Sequence, residues 1–223
     1  METEIKLRLM EPNGKERILS NKWIRSLTMP DSLTVKELTN VYYDTDDLIL
    51  EKHKAVFRIR SDNDDLFVAT VKIGKTVTEG LHQRLEWNVE QEDGQVDIPY
   101  FRKMAESDGD PDQVLTDLLD KIEDKELIAI CSTRFERTTI HLGYEDTLIE
   151  LAVDIGFFNV GKQEEAFSEV EIELIEGDTR ALLDFGDEIA RIVSVIPENK
   201  SKYGQCIDMI HRGRPCENSA NVT

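Results

Sequence analysis

The sequence is poor in the residue types that mark disulfide-rich, low-complexity and membrane-spanning chains. Its 223 residues include only three cysteines, six prolines and twelve glycines. Cys131, Cys206 and Cys216 are odd in number and lack a CxxC spacing, which argues against a disulfide framework and against a thiolate metal site. No apolar run approaches the roughly 20 residues that a helix needs to cross a bilayer. We therefore expect a folded chain with reduced cysteines and a cytoplasmic location.

Basic residues are scarce relative to acidic ones. The chain has 27 Lys and Arg against 46 Asp and Glu, a formal charge of −19. Such a surface repels nucleic acids and anionic membranes, because both need a basic footprint that releases counterions. We therefore expect neither as a partner. A small anionic substrate would meet the same repulsion, so its site would have to collect basic side chains locally.

Apolar and polar residues alternate along much of the chain, a pattern that predicts strands with two different faces. In the first strand, apolar positions oppose Glu2, Glu4 and Lys6. Seven later segments alternate in the same way. The eight predicted strands are residues 2–9, 41–45, 57–60, 67–73, 84–90, 127–142, 149–154 and 169–174.

Three other stretches repeat apolar residues every three or four positions and predict helices, at residues 15–27, 112–122 and 178–195. The second follows Asp110-Pro111 and the third begins with Asp178, both typical helix starts. The apolar stripes of these helices need a surface to pack on, and the apolar faces of the strands supply one. The charged faces of the strands must then point elsewhere.

Two interpretations of the charged faces remain open. They lie in water on one side of an open antiparallel sheet, the commonest meaning of such alternation, or they face the lumen of a closed barrel that holds one small ligand. The charges favour the barrel, because the candidate inward positions hold nine acids and eight bases while the rest of the chain holds 37 and 19. These positions are Glu2, Glu4, Glu86, Glu90, Glu150, Asp154, Glu169, Glu171 and Glu173, with Lys6, Arg8, Arg58, Arg60, Lys72, Arg84, Arg137 and Lys202.

The residue types on these faces indicate a metal and a polyphosphate. Carboxylates two apart on a strand point the same way, so Glu2 with Glu4 can offer oxygens to a hard divalent cation. Arg58 with Arg60 offers two guanidinium groups suited to phosphate oxygens.

The same positions resemble the CYTH domain, the family of triphosphate tunnel metalloenzymes, from Met1 to about Ile210. Residues 2–6 read ETEIK, similar to the family's ExExK signature. Residues 80–90 contain GLHQRLE and are most similar to the bacterial inorganic triphosphatase branch. Eight motifs in the family's order make the resemblance specific. The other six are FRIR at 57–60, TVK at 70–72, RFER at 134–137, DIG at 154–156, EVEIE at 169–173 and SKY at 201–203.

The resemblance implies an α+β fold: an eight-stranded antiparallel β-barrel, the triphosphate tunnel, with helices packed on the outside. Residues 1–211 would form one tunnel domain, followed by a disordered tail at 212–223. The implied reaction is hydrolysis of inorganic tripolyphosphate to pyrophosphate and phosphate with Mg²⁺ or Mn²⁺. Alternatives are a class IV-type adenylate cyclase, a thiamine or nucleoside triphosphatase, and a non-enzymatic polyphosphate or nucleotide sensor. Monomer and homodimer both remain open.

The resemblance also implies roles for individual side chains. The implied metal ligands are Glu2, Glu4, Asp154, Glu169, Glu171 and Glu173. The implied substrate-binding residues are Lys6, Arg58, Arg60, Lys72, Arg84, Arg134, Arg137, Lys200 and Lys202. The implied catalytic residues are Lys6, Glu86 and Glu90, with either glutamate orienting the attacking water.

Two pairs among these residues are ambiguous. Arg134 and Arg137 differ in parity, so both can face the lumen only across a β-bulge, and Arg137 is preferred. Lys200 and Lys202 share parity, so either can be the late lysine of the family.

Overall fold

The computed structural model describes residues 1–62, 66–107 and 110–213. Each predicted strand is present, and most are longer than predicted. The strands are β1 Glu2–Leu9, β2 Thr34–Asp44, β3 Ala55–Asp62, β4 Phe67–Thr78, β5 Leu81–Gln91, β6 Ile128–Tyr144, β7 Thr147–Val160, β8 Gln163–Glu176 and β9 Val195–Pro197. The helices are α1 Gly14–Ser20, α2 Lys22–Leu27, α3 Ile49–Lys52, α4 Ile98–Ser107, α5 Val114–Ile122, α6 Thr179–Ile192 and α7 Lys202–Gly213.

The first eight strands close into an antiparallel barrel in the order β5-β4-β3-β2-β6-β7-β8-β1, and β1 returns to β5. The N-terminal half of β1 pairs with β5 and its centre with β8, so β1 closes the ring. The short β9 pairs with Leu7–Leu9, beyond the part of β1 that β5 covers. The predicted α+β barrel is therefore confirmed, and the open-sheet alternative is wrong.

Two apolar cores cover the outside of the barrel. Helices α1, α2 and α6 pack on β1, β6, β7 and β8 in a core that includes the fully buried Phe185. Helices α3, α4 and α5 contribute to a second core over β3, β4 and β5 that includes the fully buried Phe101. Complete burial of one such ring stabilises the fold by about 1.5–3 kcal/mol.

Two helix boundaries differ from the sequence predictions, one because of a helix cap and one because of strand pairing. The predicted helix 15–27 breaks at Asn21, whose extended backbone lets its side chain accept hydrogen bonds from Trp23 N and Ile24 N at the start of α2. The predicted helix 178–195 ends at Ile192, because Val195 pairs with Leu9 in β9. The sequence analysis missed α3, α4 and α7. Within the described ranges, no helix combines the length and the apolarity needed to cross a membrane.

Helix α7 differs from the others because it packs against residues of β2, β6, β7 and β8 that share the inward parity. Tyr203 stacks on Tyr42, and Cys206 lies in the same buried cluster as Cys131; both cysteines are free thiols. The helix continues to Gly213, two residues into the predicted tail. The remainder of that tail, residues 214–223, lies outside the described residues.

Candidate active site in the barrel lumen

The barrel encloses a cavity of about 240 Å³, which we call the lumen. Most of the predicted site residues face it, because they occupy alternate positions of their strands. The predicted residues that line it are Glu2, Glu4, Lys6, Arg58, Arg60, Lys72, Arg84, Glu86, Arg137, Glu171, Glu173 and Lys202. Asp154 and Glu169 are buried directly behind this lining, in contact with Lys202.

Three cations and three carboxylates form a buried network at one side of the lumen. Lys202 Nζ lies 2.7 Å from Asp154 Oδ2 and 2.8 Å from an oxygen of each of Glu169 and Glu171. Arg137 binds both oxygens of Asp154 at 2.7 Å and also contacts Glu171. Lys6 contacts Glu171 and lies 3.5 Å from Glu169 Oε2. Three basic side chains thus face three acidic ones, and these contacts offset part of the cost of taking them out of water.

These ion pairs shift the pKa values of the network. Burial opposes ionisation, yet Lys202, Lys6 and Arg137 hold the pKa of Glu171 well below its usual value. The facing carboxylates of Asp154, Glu169 and Glu171 likewise raise the pKa of Lys202 despite burial. Glu171 and Lys202 are therefore both charged at neutral pH.

A second network joins β1, β4 and β5. Lys72 Nζ lies 2.6 Å from Glu2 Oε1 and 3.0 Å from Glu86 Oε2. Arg84 contacts Glu4, and its Nε lies 3.2 Å from Glu2 Oε2. Burial opposes ionisation of Glu86, but Lys72 and a hydrogen bond from Asn88 lower its pKa to about 2.

Two arginines of β3 lack an anionic partner. Arg58 donates to Thr70 Oγ1 at 3.0 Å and Arg60 Nε donates to Asn40 Oδ1 at 3.2 Å, and neither forms an ion pair with any described residue. The Arg58 Nε atom is buried without a hydrogen-bond acceptor. Burial, with Arg58 and Arg137 nearby, lowers the pKa of Arg60 to about 9. This part of the lumen therefore has excess positive charge and free donors.

A row of carboxylates crosses three strands. Glu173 on β8 is the register partner of Glu4 on β1 and of Glu150 on β7. Arg84 contacts Glu4 and His141 Nε2 lies 3.0 Å from Glu150, whereas Glu173 has no ion pair within the described residues. Burial and the nearby Glu2 and Glu4 raise the pKa of Glu173 to about 8. Directly opposed like charges are destabilising, so Glu173 holds a proton at neutral pH unless a cation joins the row.

The donor types in this row fit a hard divalent cation, which binds carboxylate oxygens. Buried Glu2 Oε2 accepts no hydrogen bond from any described residue, although Arg84 Nε lies 3.2 Å away, so it retains lone pairs for such an ion. Within the described residues, however, no three His, Cys, Asp or Glu side chains already converge on one point. Glu2 and Glu4 are instead directed toward Lys72 and Arg84.

Besides Asp154 and Glu169, which lie behind the lining, three predicted site residues do not line the lumen. Glu90 is exposed near the end of β5, although it has the parity of Glu86. Arg134 is exposed because the β6–β7 register runs without a bulge from Arg134 to Arg137, leaving Arg134 on the outer face. Lys200 precedes α7 and binds Asp208 on the surface, while Lys202 reaches inward.

The sequence analysis missed several uncharged lining residues, because motif spacing and charge carry no signal for them. A chain of hydrogen bonds links Arg58 to Thr70, Thr70 to Asn88 at 2.7 Å, and Asn88 to Glu86 at 2.9 Å. The inward parity of β4 and β5 could have identified Thr70 and Asn88. The others are Asn40, Tyr42, Val56, Phe135, Ser201 and Tyr203.

The aromatic rings of the lumen are covered by the protein itself. Tyr42 and Tyr203 stack with centroids 5.7 Å apart, and Phe135 packs on Phe167 at 5.7 Å. Lys202 also lies 5.2 Å from the centroid of Phe135. These partners leave little ring surface for stacking a base or another ring.

Gly156 of the DIG segment is required by close packing. A Cβ at this position would lie 2.2 Å from Arg134 O and 2.5 Å from the Cα of Phe135. Any larger residue at this position would therefore push β6 away from β7. Gly156 thus helps to set the β6–β7 spacing that brings Arg137 to Asp154.

Comparisons with known proteins agree with this architecture. The sequence pattern of the CYTH domain matches residues 1–203. An inorganic triphosphatase of Haemophilus influenzae is 30% identical over 176 residues, which are 79% of this chain and 45% of that protein. The chain thus spans about half the length of this curated relative.

Solved structures share the fold at low identity. A candidate adenylyl cyclase from Hippeastrum, described as having a dominant triphosphatase activity, aligns with a TM-score of 0.57 at 18% identity over 94% of this chain and 96% of its own. The PH1819 protein of Pyrococcus horikoshii aligns with a TM-score of 0.56 at 16% identity over 94% and 99%. A candidate adenylate cyclase from Bacillus halodurans aligns with a TM-score of 0.52 at 22% identity over 90% and 97%.

Proposed function

The chain belongs to the CYTH domain family, and on that premise we propose that it hydrolyses inorganic tripolyphosphate to pyrophosphate and phosphate within the lumen, with Mg²⁺ or Mn²⁺. The observation that carries this proposal is that one small enclosed cavity holds both basic and acidic side chains without ion-pair partners. Within the described residues, Arg58 and Arg60 form no ion pair, and neither does Glu173, which lies opposite Glu4 and Glu150. A metal-bound triphosphate supplies partners to both.

The arginines of β3 would hold the phosphate chain. Arg58 has an unused buried donor and Arg60 is charged beside it, and paired guanidinium groups match phosphate oxygens. Lys6, Lys72, Arg84, Arg137 and Lys202 surround the same cavity and would neutralise the remaining phosphate charge. Phosphoryl transfer depends mainly on positioning and on charge stabilisation, so no protein nucleophile is needed.

The carboxylates would hold the metal. The first candidates are Glu173, Glu2 and Glu4, because Glu173 has no ion pair among the described residues and lies close to the other two. The adjoining network supplies Glu171, Glu169 and Asp154. When bound, a divalent ion polarises the terminal phosphoryl group. Arg84 and Lys72 would then be released from Glu4 and Glu2 to face the substrate.

Glu86 is the better candidate than Glu90 to orient the attacking water. It lines the lumen, and Lys72 and Asn88 keep it ionised with a pKa of about 2. A carboxylate with so low a pKa is a weak base, so its role would be to position the water rather than to remove its proton early.

The smallest substrate fits the lumen best. A volume of about 240 Å³ and rings already stacked on protein partners favour an inorganic chain over a nucleotide or a thiazolium compound. The carboxylates argue against a sensor without turnover, because anion binding alone gains nothing from them.

The test is a phosphate-release assay with tripolyphosphate, ATP, thiamine triphosphate and pyrophosphate, each with Mg²⁺ or Mn²⁺, together with an assay for cyclic AMP. We expect rapid release from tripolyphosphate, loss of activity with a chelator, and recovery when the metal is restored. Cyclic AMP formation, or faster turnover of ATP, would replace tripolyphosphate with a nucleotide as the substrate. Binding without turnover of any of the four would support the sensor.

A further inference from the structure

A row of three inward side chains crosses strands β3, β4 and β5. Arg58 is the register partner of Thr70, and Thr70 is the register partner of Asn88. The Cβ atoms of directly opposite residues in antiparallel strands lie about 4.5–5.5 Å apart, so the side chains of such a row can bond to one another. Glu86 lies two positions before Asn88 on β5 and therefore faces the same way. All four side chains line the lumen.

Hydrogen bonds run along this row from Arg58 to Glu86. Arg58 Nη2 donates to Thr70 Oγ1 at 3.0 Å. Thr70 Oγ1 donates to Asn88 Oδ1 at 2.7 Å, and Asn88 Nδ2 donates to Glu86 Oε1 at 2.9 Å. Lys72 Nζ lies 3.0 Å from the other carboxylate oxygen, Glu86 Oε2. Both oxygens of Glu86 are therefore held, one by Asn88 and one by Lys72.

The chemistry of the two ends fixes the direction of the hydrogen bonds. A guanidinium group only donates, so the Thr70 hydroxyl must use its own proton on the next residue. An ionised carboxylate only accepts. Burial opposes ionisation of Glu86, but Lys72 and Asn88 lower its pKa to about 2, so Glu86 is ionised at neutral pH. Asn88 must therefore present its carbonyl oxygen to Thr70 and its amide N–H to Glu86, as observed.

The two middle residues differ in burial. Thr70 is fully buried, so no water can replace its partners. Asn88 is exposed, and the hydrogen bonds of its side chain go to Thr70 and Glu86. Substitutions of exposed residues usually change the free energy of unfolding by less than about 0.5 kcal/mol. The fold therefore depends little on Asn88, whereas the orientation of Glu86 depends on it directly.

We propose that Asn88 and Thr70 are positioning residues for the hydrolysis. Asn88 holds Glu86 in the orientation that directs the attacking water, and Thr70 ties that orientation to Arg58, which holds the phosphate chain. This inference rests on the proposed function of the lumen. Asn88 acts on Glu86 alone, whereas Thr70 acts on both ends of the row, so their variants should differ in kcat and KM.

The test is steady-state kinetics of the full chain on tripolyphosphate with Mg²⁺. N88A removes both hydrogen bonds of Asn88. N88D has nearly the same shape and can still accept from Thr70, but its carboxylate cannot donate to Glu86. N13A is the matched control, because Asn13 is exposed and its side chain does not cap α1.

We expect N88A to lower kcat about tenfold, the effect of losing one hydrogen bond to a charged group, and to leave KM within about twofold of the wild type. N88D should lower kcat at least as much, because it also places a like charge beside Glu86. N13A should change neither constant.

A double-mutant cycle tests whether Asn88 acts through Glu86. In an E86A background, N88A should change kcat less than about twofold, because no carboxylate remains to be oriented. An equal tenfold loss in both backgrounds would mean that Asn88 supports the fold or another group, and would overturn the proposal.

Variants of Thr70 test the connection to Arg58. T70V removes the hydroxyl at nearly constant volume and should raise KM and lower kcat together, since Arg58 loses an acceptor and Asn88 loses a donor. T70S keeps the hydroxyl and should restore both constants to within about twofold of the wild type. A T70S protein as impaired as T70V would contradict the role of the hydroxyl.

The outcome for the wild type separates this inference from the proposed function. Normal wild-type turnover with an unchanged kcat in N88A and N88D would overturn the positioning role and leave the proposed function intact. A wild type that does not hydrolyse tripolyphosphate would remove the proposed function, and the positioning role with it.

Discussion

Glu173 on β8 lies directly opposite Glu4 on β1, and within the described residues Arg84 pairs with Glu4 while Glu173 has no cation partner. Burial and the charges of Glu2 and Glu4 raise the pKa of Glu173 to about 8, far above the value of 4.5 for a free glutamate. Glu173 is therefore protonated at neutral pH in the metal-free protein, and a metal ion bound there would displace this proton.

The metal-free protein should lose stability as the pH rises from about 4.5 to 8. Over that range the unfolded chain has released the Glu173 proton and the folded chain still holds it, so the free energy of unfolding falls with pH. Glu2, Glu4, Glu150 and Lys72 face this group. The measurement is thermal melting with a chelator, where Glu173→Gln should flatten the dependence; an unchanged slope would show that another group causes it.

Arg58→Ala should weaken tripolyphosphate binding by about 1.5–3 kcal/mol, the range for a charged hydrogen bond. The reason is that Arg58 faces the lumen, has a buried Nε atom and has no anionic partner among the described residues. Calorimetry measures the loss. Arg134→Ala is the matched control, because Arg134 is exposed on the outer face; equal effects of the two variants would contradict the assignment.

Lys202→Met should lower the free energy of unfolding by about 3–5 kcal/mol, because it leaves three buried carboxylates without their shared cation. Denaturant unfolding measures this loss. Lys200→Met should cost less than about 1 kcal/mol, since the Lys200–Asp208 pair is on the surface. A stable Lys202→Met protein would mean that the carboxylates rearrange or take up protons.

Glu86→Gln should lower kcat on the order of 10²-fold and leave the KM for tripolyphosphate nearly unchanged, because a misplaced water slows the reaction without weakening substrate binding. Steady-state kinetics on tripolyphosphate separates the two constants. Glu90→Gln should leave both unchanged, because Glu90 is exposed outside the lumen. A change in KM alone would assign Glu86 to substrate binding.

Strand parity predicted much of the lumen because a closed barrel preserves the alternation of each strand. The motif positions Glu2, Arg58, Lys72 and Glu171 all line the cavity. The parity rule also distinguished Arg137 from Arg134, since the register between them contains no bulge.

Strand parity did not predict which side chains face the lumen where exposure depends on how far along the barrel a residue lies, or where the residue belongs to a helix. Glu90 has the inward parity of β5 but lies too near the end of that strand to line the lumen. Lys200 and Lys202 were indistinguishable because parity describes strands, and Lys202 reaches the lumen as the first residue of an unpredicted helix. Helix α7 itself packs on inward residues, whereas the sequence analysis expected helices only on the outside of the barrel.

The amino-acid sequence alone determined the strands, the balance of charges on their inward faces and the family motifs, because these depend on local alternation and spacing. Tertiary structure decided which charges neutralise one another and which remain unpaired. That outcome depends on distances between side chains far apart in the chain, such as Lys202 with Asp154 and Glu173 with Glu4. The two arginines that form no ion pair with a described residue, and the row of opposed carboxylates, exist only once the barrel has closed.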